Sequence, residues 1–302
     1  MRTFRGRQAL VTGAASGIGR AVALRLAREG MQLFLVDMDP IGLAEVANEA
    51  RETAPQVIEH KCDLSRRECV HELADEVLAQ WGGVDLLFNN AGVVFYGPTH
   101  TMTERQWDAL LAVNLLAPIH LTQRLLPSML QREDVHIANM CSITGLVPGG
   151  RFCAYATSKF GLVGFTETLR AEYGRKGLGV TAICPGPSLT KLYQSGDCGH
   201  KNTIPRPPAW ACATPERIAD ISVRAIRWNK RKQLITPLAH LVYQLDRFAP
   251  WLIDLMNTFS RRNLPWYLGG RKKAPASDPA ILSLAASPPS TSTAIEPQRR
   301  AA

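Results

Sequence analysis

Long apolar runs are missing from this sequence of 302 residues. No stretch approaches the roughly 20 apolar residues that cross a bilayer as a helix, and the opening MRTFRGRQALVTG has no apolar core of a signal peptide. The seven cysteines form no CxxC pair, which argues against a disulfide framework and against a metal site. These absences predict a cytoplasmic protein, either free or peripheral to the inner face of a membrane.

Aromatic residues make up only 7% of the chain, and its net charge of +9 is unevenly distributed. Residues 224–273 hold eleven Lys or Arg and two Asp, so this window carries the whole excess. A basic segment can indicate nucleic acid, an anionic membrane surface or a solvated face. Here the basic residues lie among aliphatic ones rather than among aromatics that stack on bases, so no nucleic-acid partner is expected.

Apolar runs alternate with helical patterns over the first 236 residues. The predicted strands cover residues 8–12, 31–37, 57–63, 84–92, 135–141 and 180–186, with a seventh candidate at 233–236. Their apolar residues are continuous rather than alternating, which is typical of a parallel sheet covered by helices on both faces. We therefore predict an α/β domain over residues 1–236, with a single doubly wound (Rossmann-type) sheet. Ligands of such sheets bind beyond the carboxyl ends of the strands.

Three sequence signals predict where helices begin. Ser65 and Thr103 are each followed three positions later by Glu or Gln, the pattern of a capping box. The second of these opens a long helix towards residue 131. Thr214 followed by Pro215 predicts the N-cap and first residue of a further helix.

The pattern changes after Pro237, where apolar residues recur at spacings of three and four. This predicts an amphipathic helical extension over 237–270, interrupted at Pro250, and the Ser- and Pro-rich stretch 271–302 is predicted to be disordered. Aromatic residues beside Lys and Arg give the extension the composition of an interfacial segment. It could roof a substrate pocket, touch a membrane or bind another protein. The first two alternatives both favour a lipophilic substrate.

Tyr155 and Lys159 are four positions apart, about one turn of a helix, so they would share a face. A free phenol titrates near ~10, and a neighbouring ammonium lowers that pKa. Ser142 supplies a hydroxyl that can hold an alcohol or carbonyl oxygen against the phenol. The set suits proton transfer in an alcohol–ketone interconversion, although a Tyr and a Lys at this spacing are also typical of a surface pair.

A glycine-rich turn with Gly13, Gly17 and Gly19 follows the first strand and opens a helix. Glycines let the backbone approach a pyrophosphate closely, and the helix N-terminus supplies amide donors. Asp37 ends the second strand, where a carboxylate can accept hydrogen bonds from ribose hydroxyls and repel a 2′-phosphate. Neither Ser16 nor the residue after Asp37 is basic, so NAD is favoured over NADP. The alternative is a solvent-exposed Asp in a turn.

Taken together, TGAASGIG at 12–19, NNAG at 89–92, Asn114, Ser142, YATSK at 155–159 and PG at 185–186 resemble the classical short-chain dehydrogenase/reductase family over roughly residues 5–236. The resemblance implies that the catalytic residues are Asn114, Ser142, Tyr155 and Lys159. It implies dinucleotide contacts from Gly13, Ser16, Gly17, Ile18, Gly19, Asp37, Asp63, Leu64, Asn90, Ala91, Gly92, Tyr155, Lys159, Pro185, Gly186 and Thr190. Lys159 would lower the pKa of Tyr155, and Asn114 would hold a water that links Lys159 to solvent.

The sequence therefore predicts hydride transfer between NAD and a lipophilic secondary alcohol or ketone that is steroid-, retinoid-, terpenoid- or acyl-like. One alternative is an NADPH-dependent carbonyl or 3-ketoacyl reductase, and another is a catalytically idle dinucleotide-binding sensor or scaffold at a membrane. A substrate loop is expected over 189–213, where Cys198 and His200 are interpreted as loop residues rather than metal ligands. The family resemblance implies a homodimer or homotetramer.

Overall fold

The computed structural model describes residues 1–188, 197–198, 204 and 207–259. The chain divides into two compact units, Met1–Asp254 and Leu255–Ala302, and the second is described only over residues 255–259. The predicted contact at Thr190, the loop residue His200, the second half of the predicted extension and the tail at 271–302 lie outside the described residues.

The described residues contain nine β-strands: β1 Gln8–Thr12, β2 Gln32–Asp37, β3 Val57–Lys61, β4 Leu86–Asn89, β5 Phe95–Tyr96, β6 His136–Met140, β7 Gly179–Cys184, β8 Asp197–Cys198 and β9 Lys232–Leu234. Seven of them form one parallel sheet in the order β3-β2-β1-β4-β6-β7-β9. The two-residue strands β5 and β8 pair with each other, also in parallel. The predicted doubly wound sheet is confirmed, whereas the β5–β8 pair was not predicted.

Most predicted strands end earlier than expected. The prediction at 84–92 shrinks to Leu86–Asn89, because the amides of Asn90 and Ala91 donate to the hydroxyl of Thr12 instead of continuing a strand ladder. Residues 90–92 therefore lie beyond the carboxyl end of β4 rather than within the sheet. The strand tips therefore supply backbone and side chains to a crevice at the carboxyl edge.

Nine α-helices occur in the described part of the chain: α1 Gly17–Arg28, α2 Pro40–Arg51, α3 Arg67–Trp81, α4 Glu104–Leu111, α5 Ala117–Met129, α6 Cys153–Tyr173, α7 Pro215–Arg227, α8 Pro237–Phe248 and α9 Pro250–Phe259. Alternate residues of β1 face opposite sides of the sheet. Val11 packs with the buried residues of α1, α2 and α7, and Leu10 packs with those of α3 and α5. Both faces of the sheet are therefore covered, and the predicted interruption at Pro250 is confirmed.

Two of the three predicted helix caps are present. Thr103 and Gln106 form both bonds of a capping box, and Thr214 accepts a hydrogen bond from the amide of the third helical residue of α7. The prediction at Ser65 is wrong: its amide and its hydroxyl both donate to Asp63, at 3.0 and 2.8 Å. This local turn occupies Ser65, and α3 begins two residues later without a side-chain cap.

The long helix predicted from Thr103 is interrupted. A π-helical turn, Ala112–Leu116, lies between α4 and α5. Asn114 sits at its centre and is fully buried. Its side-chain oxygen accepts from the amide of Val93 at 2.8 Å, and its side-chain nitrogen donates to the carbonyl oxygen of Val93 at 2.9 Å. π turns are frequent at functional sites. Here the π turn interrupts the regular helix at the residue whose side chain holds Val93.

Among the described residues, one helical run, Glu104–Met129, is long and apolar enough by composition to cross a membrane. Its residues Leu121, Leu125 and Met129 are buried in the core together with residues of α3. The apolar side chains of this run therefore pack in the core of the domain.

Candidate active site

A cavity of about 640 Å³ opens where the carboxyl ends of the parallel strands meet. Most of the site residues predicted from sequence line it: Gly13, Ser16, Gly17, Ile18, Asp37, Asp63, Leu64, Asn90, Ala91, Gly92, Ser142, Tyr155, Lys159, Pro185 and Gly186. Gly19 and Asn114 are buried beside this set. The fold thus brings together residues that are spread from position 13 to position 186 of the sequence.

The glycine-rich turn is packed tightly against the end of β4. Gly13 has a φ of 67°, and a Cβ atom there would lie 2.8 Å from the Cα of Ala91. A Cβ at Gly19 would lie 1.8 Å from the carbonyl oxygen of Gly13. The side-chain amide of Asn90 donates to the carbonyl oxygens of Thr12 and Gly13, at 3.0 and 3.2 Å. No side chain fits at Gly13 or Gly19, so at these two positions the backbone of the turn packs directly against its neighbours.

The start of α1 provides donors for an anion. Ser16 is the N-cap residue, and its side chain makes no capping hydrogen bond. The amides of the first helical turn are orphan donors at the positive end of the helix dipole. Because this end adjoins the glycine-rich turn, the local geometry suits a pyrophosphate.

Asp37 ends β2 with its carboxylate at the cavity. One oxygen accepts from the amide of Ala15 at 3.0 Å, and the other from the amide of Asp39 at 3.1 Å. A carboxylate offers about four lone-pair sites, so acceptor capacity remains for the two hydroxyls of a ribose. Among the described residues that line the cavity, Lys159 is the sole cation. Asp37 can therefore hold the adenosine ribose of a nicotinamide dinucleotide.

Tyr155 and Lys159 project from one face of α6 into the cavity. The Nζ atom of Lys159 lies 5.7 Å from the centroid of the Tyr155 ring and donates to the carbonyl oxygen of Met140 at 2.8 Å. Lys159 is only 3% exposed. Burial lowers its pKa from 10.5 to about 8, against the opposing effect of the thiols of Cys141 and Cys184. The pKa of this ammonium therefore lies close to neutral pH, beside a phenol.

Ser142 lies at the end of β6, where it caps the short 3-10 turn Ile143–Gly145. Its hydroxyl accepts from the amide of Thr144 at 3.2 Å and shares a hydrogen bond of 2.6 Å with the hydroxyl of the same residue. The amide of Ile143 donates to the carbonyl oxygen of Pro185 at 2.9 Å. The turn thus fixes the serine hydroxyl at the cavity wall and ties it to the end of β7.

Asn114 is placed next to Lys159 without bonding to it in the hydrogen bonds described. Besides Val93, it bonds the hydroxyl of Ser158 at 3.1 Å. A Cβ atom on Gly92 would lie 3.3 Å from the Asn114 side-chain oxygen and 3.6 Å from the Lys159 Nζ. The two polar groups therefore flank the same glycine. The water link between them that the resemblance implies stays a prediction.

Sequence analysis missed an aromatic wall beside Tyr155. The rings of Tyr96 and Phe152 are 4.9 Å apart, and those of Phe152 and Tyr155 are 6.3 Å apart. Further apolar side chains on the cavity surface are Val94, Val113 and Ile143. Tyr96 belongs to a two-residue strand and Phe152 directly precedes α6. The only signal in the sequence was their aromatic character within loops that follow strands.

The strand order, the glycine-rich turn and the Tyr–Lys pair are matched by a known family. A sequence model described as short chain dehydrogenase matches residues 7–197. The chain belongs to this family. It is accordingly an NAD(P)-dependent oxidoreductase that acts on CH–OH groups.

Several members of the short-chain dehydrogenase family are similar to this one. D-beta-hydroxybutyrate dehydrogenase of Cupriavidus necator is 35% identical over 192 residues, which are 63% of this chain and 73% of the relative. A Burkholderia phymatum family member, solved in complex with NAD, is 28% identical with a TM-score of 0.74 and covers 88% of this chain and 99% of its own. A metagenomic member in complex with NADP is 31% identical with a TM-score of 0.65. The match covers 78% of this chain and 98% of the metagenomic one.

Proposed function

We propose that this short-chain dehydrogenase oxidises a lipophilic secondary alcohol, or reduces the matching ketone, with NAD as its cofactor. The observation that carries the proposal is the position of Tyr155: its ring centroid lies 5.7 Å from the buried Nζ of Lys159 and 6.3 Å from the ring centroid of Phe152. The tyrosine thus adjoins both a cationic group and an aromatic ring. A bound nicotinamide dinucleotide would supply or accept the hydride.

The chain's own residues would handle the proton. In the oxidation direction, Tyr155 takes the proton of the substrate hydroxyl, and the nearby positive charge of Lys159 favours the phenolate that does so. The hydroxyl of Ser142 holds the substrate oxygen. Asn114 keeps the loop after β4 next to Lys159 through its bonds to Val93.

The choice of NAD rests on Asp37. A ribose 2′-phosphate beside this carboxylate would be repelled, and no Lys or Arg stands among the described lining residues other than Lys159. An NADPH-dependent carbonyl or 3-ketoacyl reductase is the competing proposal. It requires a cation close to Asp37, and Met38 occupies the next position in the cavity wall.

The substrate class follows from the aromatic wall. Tyr96 and Phe152, with the neighbouring aliphatic side chains, present an apolar surface next to the Tyr155 phenol. Burial of apolar substrate area there would contribute about 25 cal/mol per Å². A steroid, retinoid, terpenoid or acyl-chain alcohol matches this surface better than a small polyol does.

The direct test is a panel of sterols, retinoids and medium-chain secondary alcohols, incubated with NAD and followed by NADH absorbance. We expect turnover of at least one class, and a loss of about 10²- to 10⁴-fold in Tyr155→Phe. Tyr173→Phe, at the far end of the same helix, is the matched control and should keep wild-type turnover. Activity that survives in Tyr155→Phe contradicts the assignment. A wild type that is inactive on all three classes favours a dinucleotide-binding scaffold.

We further propose that α8 and α9 touch an anionic membrane surface. The face of α8 that carries Ala239 packs near Gly186, whereas Leu241, Phe248 and Trp251 are 57%, 77% and 63% exposed. The guanidinium of Arg247 lies 5.6 Å from the Phe248 ring centroid, so a cation adjoins the exposed apolar side chains. This combination is typical of interfacial helices.

Flotation with phosphatidylserine vesicles tests the membrane proposal on the full chain. The wild type should float, and the triple variant Leu241→Ser, Phe248→Ser, Trp251→Ser should stay at the bottom of the gradient. Equal behaviour of the two proteins contradicts the proposal. Light scattering without lipid tests the predicted homodimer or homotetramer, and a change of mass in the variant would assign the face to a second copy instead.

A further inference from the structure

Two cysteines occur at neighbouring strand ends: Cys141 lines the cavity, and Cys184 is buried in the same apolar cluster. The register of β6 and β7 ends with Met140 opposite Ile183, and Cys141 and Cys184 are the next positions of the two segments. Neighbouring strands are about 4.8 Å apart, which falls within the roughly 4.4–6.8 Å between Cα atoms that a disulfide allows. Both side chains belong to the same apolar cluster as Leu162 of α6, and the Sγ of Cys184 donates to the carbonyl oxygen of Ala182 at 4.0 Å.

The two thiols differ in acidity. Burial acts to raise the pKa of Cys141, but the neighbouring Cys184 thiol and the positive charge of Lys159 outweigh it and bring that pKa below its usual value. The neighbouring Cys141, together with burial, holds the pKa of Cys184 well above its usual value. Cys141 is therefore the more acidic of the two thiols. Only a thiolate is a strong nucleophile.

Access to the pair is through the cavity. Cys141 is among the residues that line it, whereas Cys184 is fully buried, so a small oxidant that enters the cleft meets Cys141 before Cys184. Cys62 lines the cavity as well, but burial raises its pKa to about 12. The cavity thus offers one cysteine whose pKa is lowered, with a second thiol in the same apolar cluster. A reactive cysteine next to a resolving one is the arrangement found in redox-sensitive sites.

We propose that Cys141 and Cys184 are oxidised by hydroperoxides to a reversible disulfide that stops turnover. The Cys141 thiolate attacks one peroxide oxygen, the O–O bond breaks, and hydroxide leaves and is protonated to water. The Cys184 sulfur, after losing its proton, then attacks the resulting sulfenic acid, and the S–S bond forms as a second hydroxide leaves as water. Two thiols lose two electrons, and one hydrogen peroxide becomes two water molecules.

The loss of turnover follows from what the two cysteines adjoin. Cys141 directly precedes Ser142, and Cys184 directly precedes Pro185. A disulfide draws the two Cβ atoms to about 3.8 Å, so the two strand tips that hold the serine hydroxyl and the loop after β7 must shift. Oxidation also removes the titratable thiol of Cys141, which acts on the pKa of Lys159. Strained disulfides of this kind are the readily reduced ones.

Peptide mapping of the full-length protein tests the proposal. After treatment with hydrogen peroxide and alkylation of the remaining thiols, trypsin should release fragments 133–151 and 177–191 joined by one disulfide. Turnover should fall by about tenfold or more and recover with dithiothreitol. Cys153→Ala, which removes an exposed cysteine of α6, is the control and should behave like the wild type.

Cys184→Ala removes the second thiol. We expect no joined fragments from it, and prolonged peroxide should drive Cys141 to the sulfinic acid, which dithiothreitol does not reduce. The proposal is overturned if the oxidised wild type shows Cys141 and Cys184 both alkylated, or if the disulfide forms and turnover is unchanged. Mapping of the wild type decides the first point even if the variant does not fold. It needs no substrate, so its outcome is independent of the proposed alcohol oxidation.

Discussion

The two halves of the cavity are built from different material. The half proposed for the dinucleotide is mostly backbone and strand ends: the glycine-rich turn, the start of α1 and Asp37. The half proposed for the alcohol consists of side chains from β5, from the residues before α6 and from the loop after β7. In the first half, close backbone contacts leave no space for larger side chains. In the second half, one apolar side chain can replace another. Substitutions should therefore act more severely in the first half.

Gly19→Ala is expected to have the largest effect. The new methyl group would lie 1.8 Å from the carbonyl oxygen of Gly13, and backbone cannot move aside cheaply. Overpacking of this kind costs about 3 kcal/mol, so NAD affinity measured by calorimetry should fall by about 100-fold. Gly164→Ala is the control, because a Cβ at that helical position meets nothing within 4 Å. This control variant should be more stable than the wild type by about 1 kcal/mol. Equal NAD affinity in both variants would contradict the steric requirement at Gly19.

Lys159→Met should separate stability from activity at the border of the two halves. Because the pKa of Lys159 is lowered from 10.5 to about 8, the unfolded chain binds more protons than the native one between these values. The stability of the wild type therefore rises with pH across that window, and the buried ammonium is unfavourable below it. The Met variant should be inactive, yet more stable at pH 7 by about 2 kcal/mol.

Urea unfolding at pH 7 and at pH 10 measures this effect. The advantage of Lys159→Met should shrink at the higher pH, where the native lysine is already neutral. A variant that is less stable than the wild type at pH 7 would show that the bond from Lys159 to the Met140 carbonyl outweighs the cost of burying the charge.

Asp37→Ala should change cofactor choice within the first half. We expect kcat/KM with NAD to fall by about tenfold and the preference to move towards NADP, since one charge-assisted ribose contact is lost. Asp39→Ala is the matched control: that carboxylate caps α2 through the amides of Ile41 and Gly42, so its loss should lower stability and leave cofactor choice unchanged. Unaltered NAD kinetics in Asp37→Ala would count against the ribose contact.

Tyr96→Leu probes the second half and should have the smallest effect. Its ring centroid lies 4.9 Å from that of Phe152, with the two ring planes tilted by 56°, and such aromatic pairs contribute about 0.5–1.5 kcal/mol. KM for an apolar alcohol should rise by about fivefold, with NAD affinity unchanged. Phe160→Leu, on the exposed side of α6, serves as the control. A larger change in NAD affinity than in KM would show that the two halves are not separate.

The contrast between the halves also explains what the sequence could predict. Asp37 and the glycines were predictable because strand, turn and helix follow one another within a few positions, and each signal is local. Thr12 was visible only as the end of a strand, since its bonds to the amides of Asn90 and Ala91 join segments 78 and 79 positions apart. Local motifs do not encode such partners.

The structure differs from the sequence prediction at Ser65, around Asn114 and at the aromatic wall. Ser65 was predicted to cap a helix, but the carboxylate of Asp63 takes both of its donors. Asn114 was correctly placed in a helix, yet neither periodicity nor capping rules predict a π turn around it. The aromatic wall escaped prediction because Tyr96 and Phe152 meet only through the folding of the sheet.

The π turn Ala112–Leu116 makes the length of this segment as important as its composition. A helix advances about 100° per residue, so a single-residue deletion that restored an uninterrupted α-helix would rotate α4 by that angle about its axis. Leu110, which now packs with Phe95 and Ala154 beside Tyr155, would swing out of register. The helix should accept exchanges at the exposed Leu116 far more readily than any insertion or deletion between residues 110 and 117.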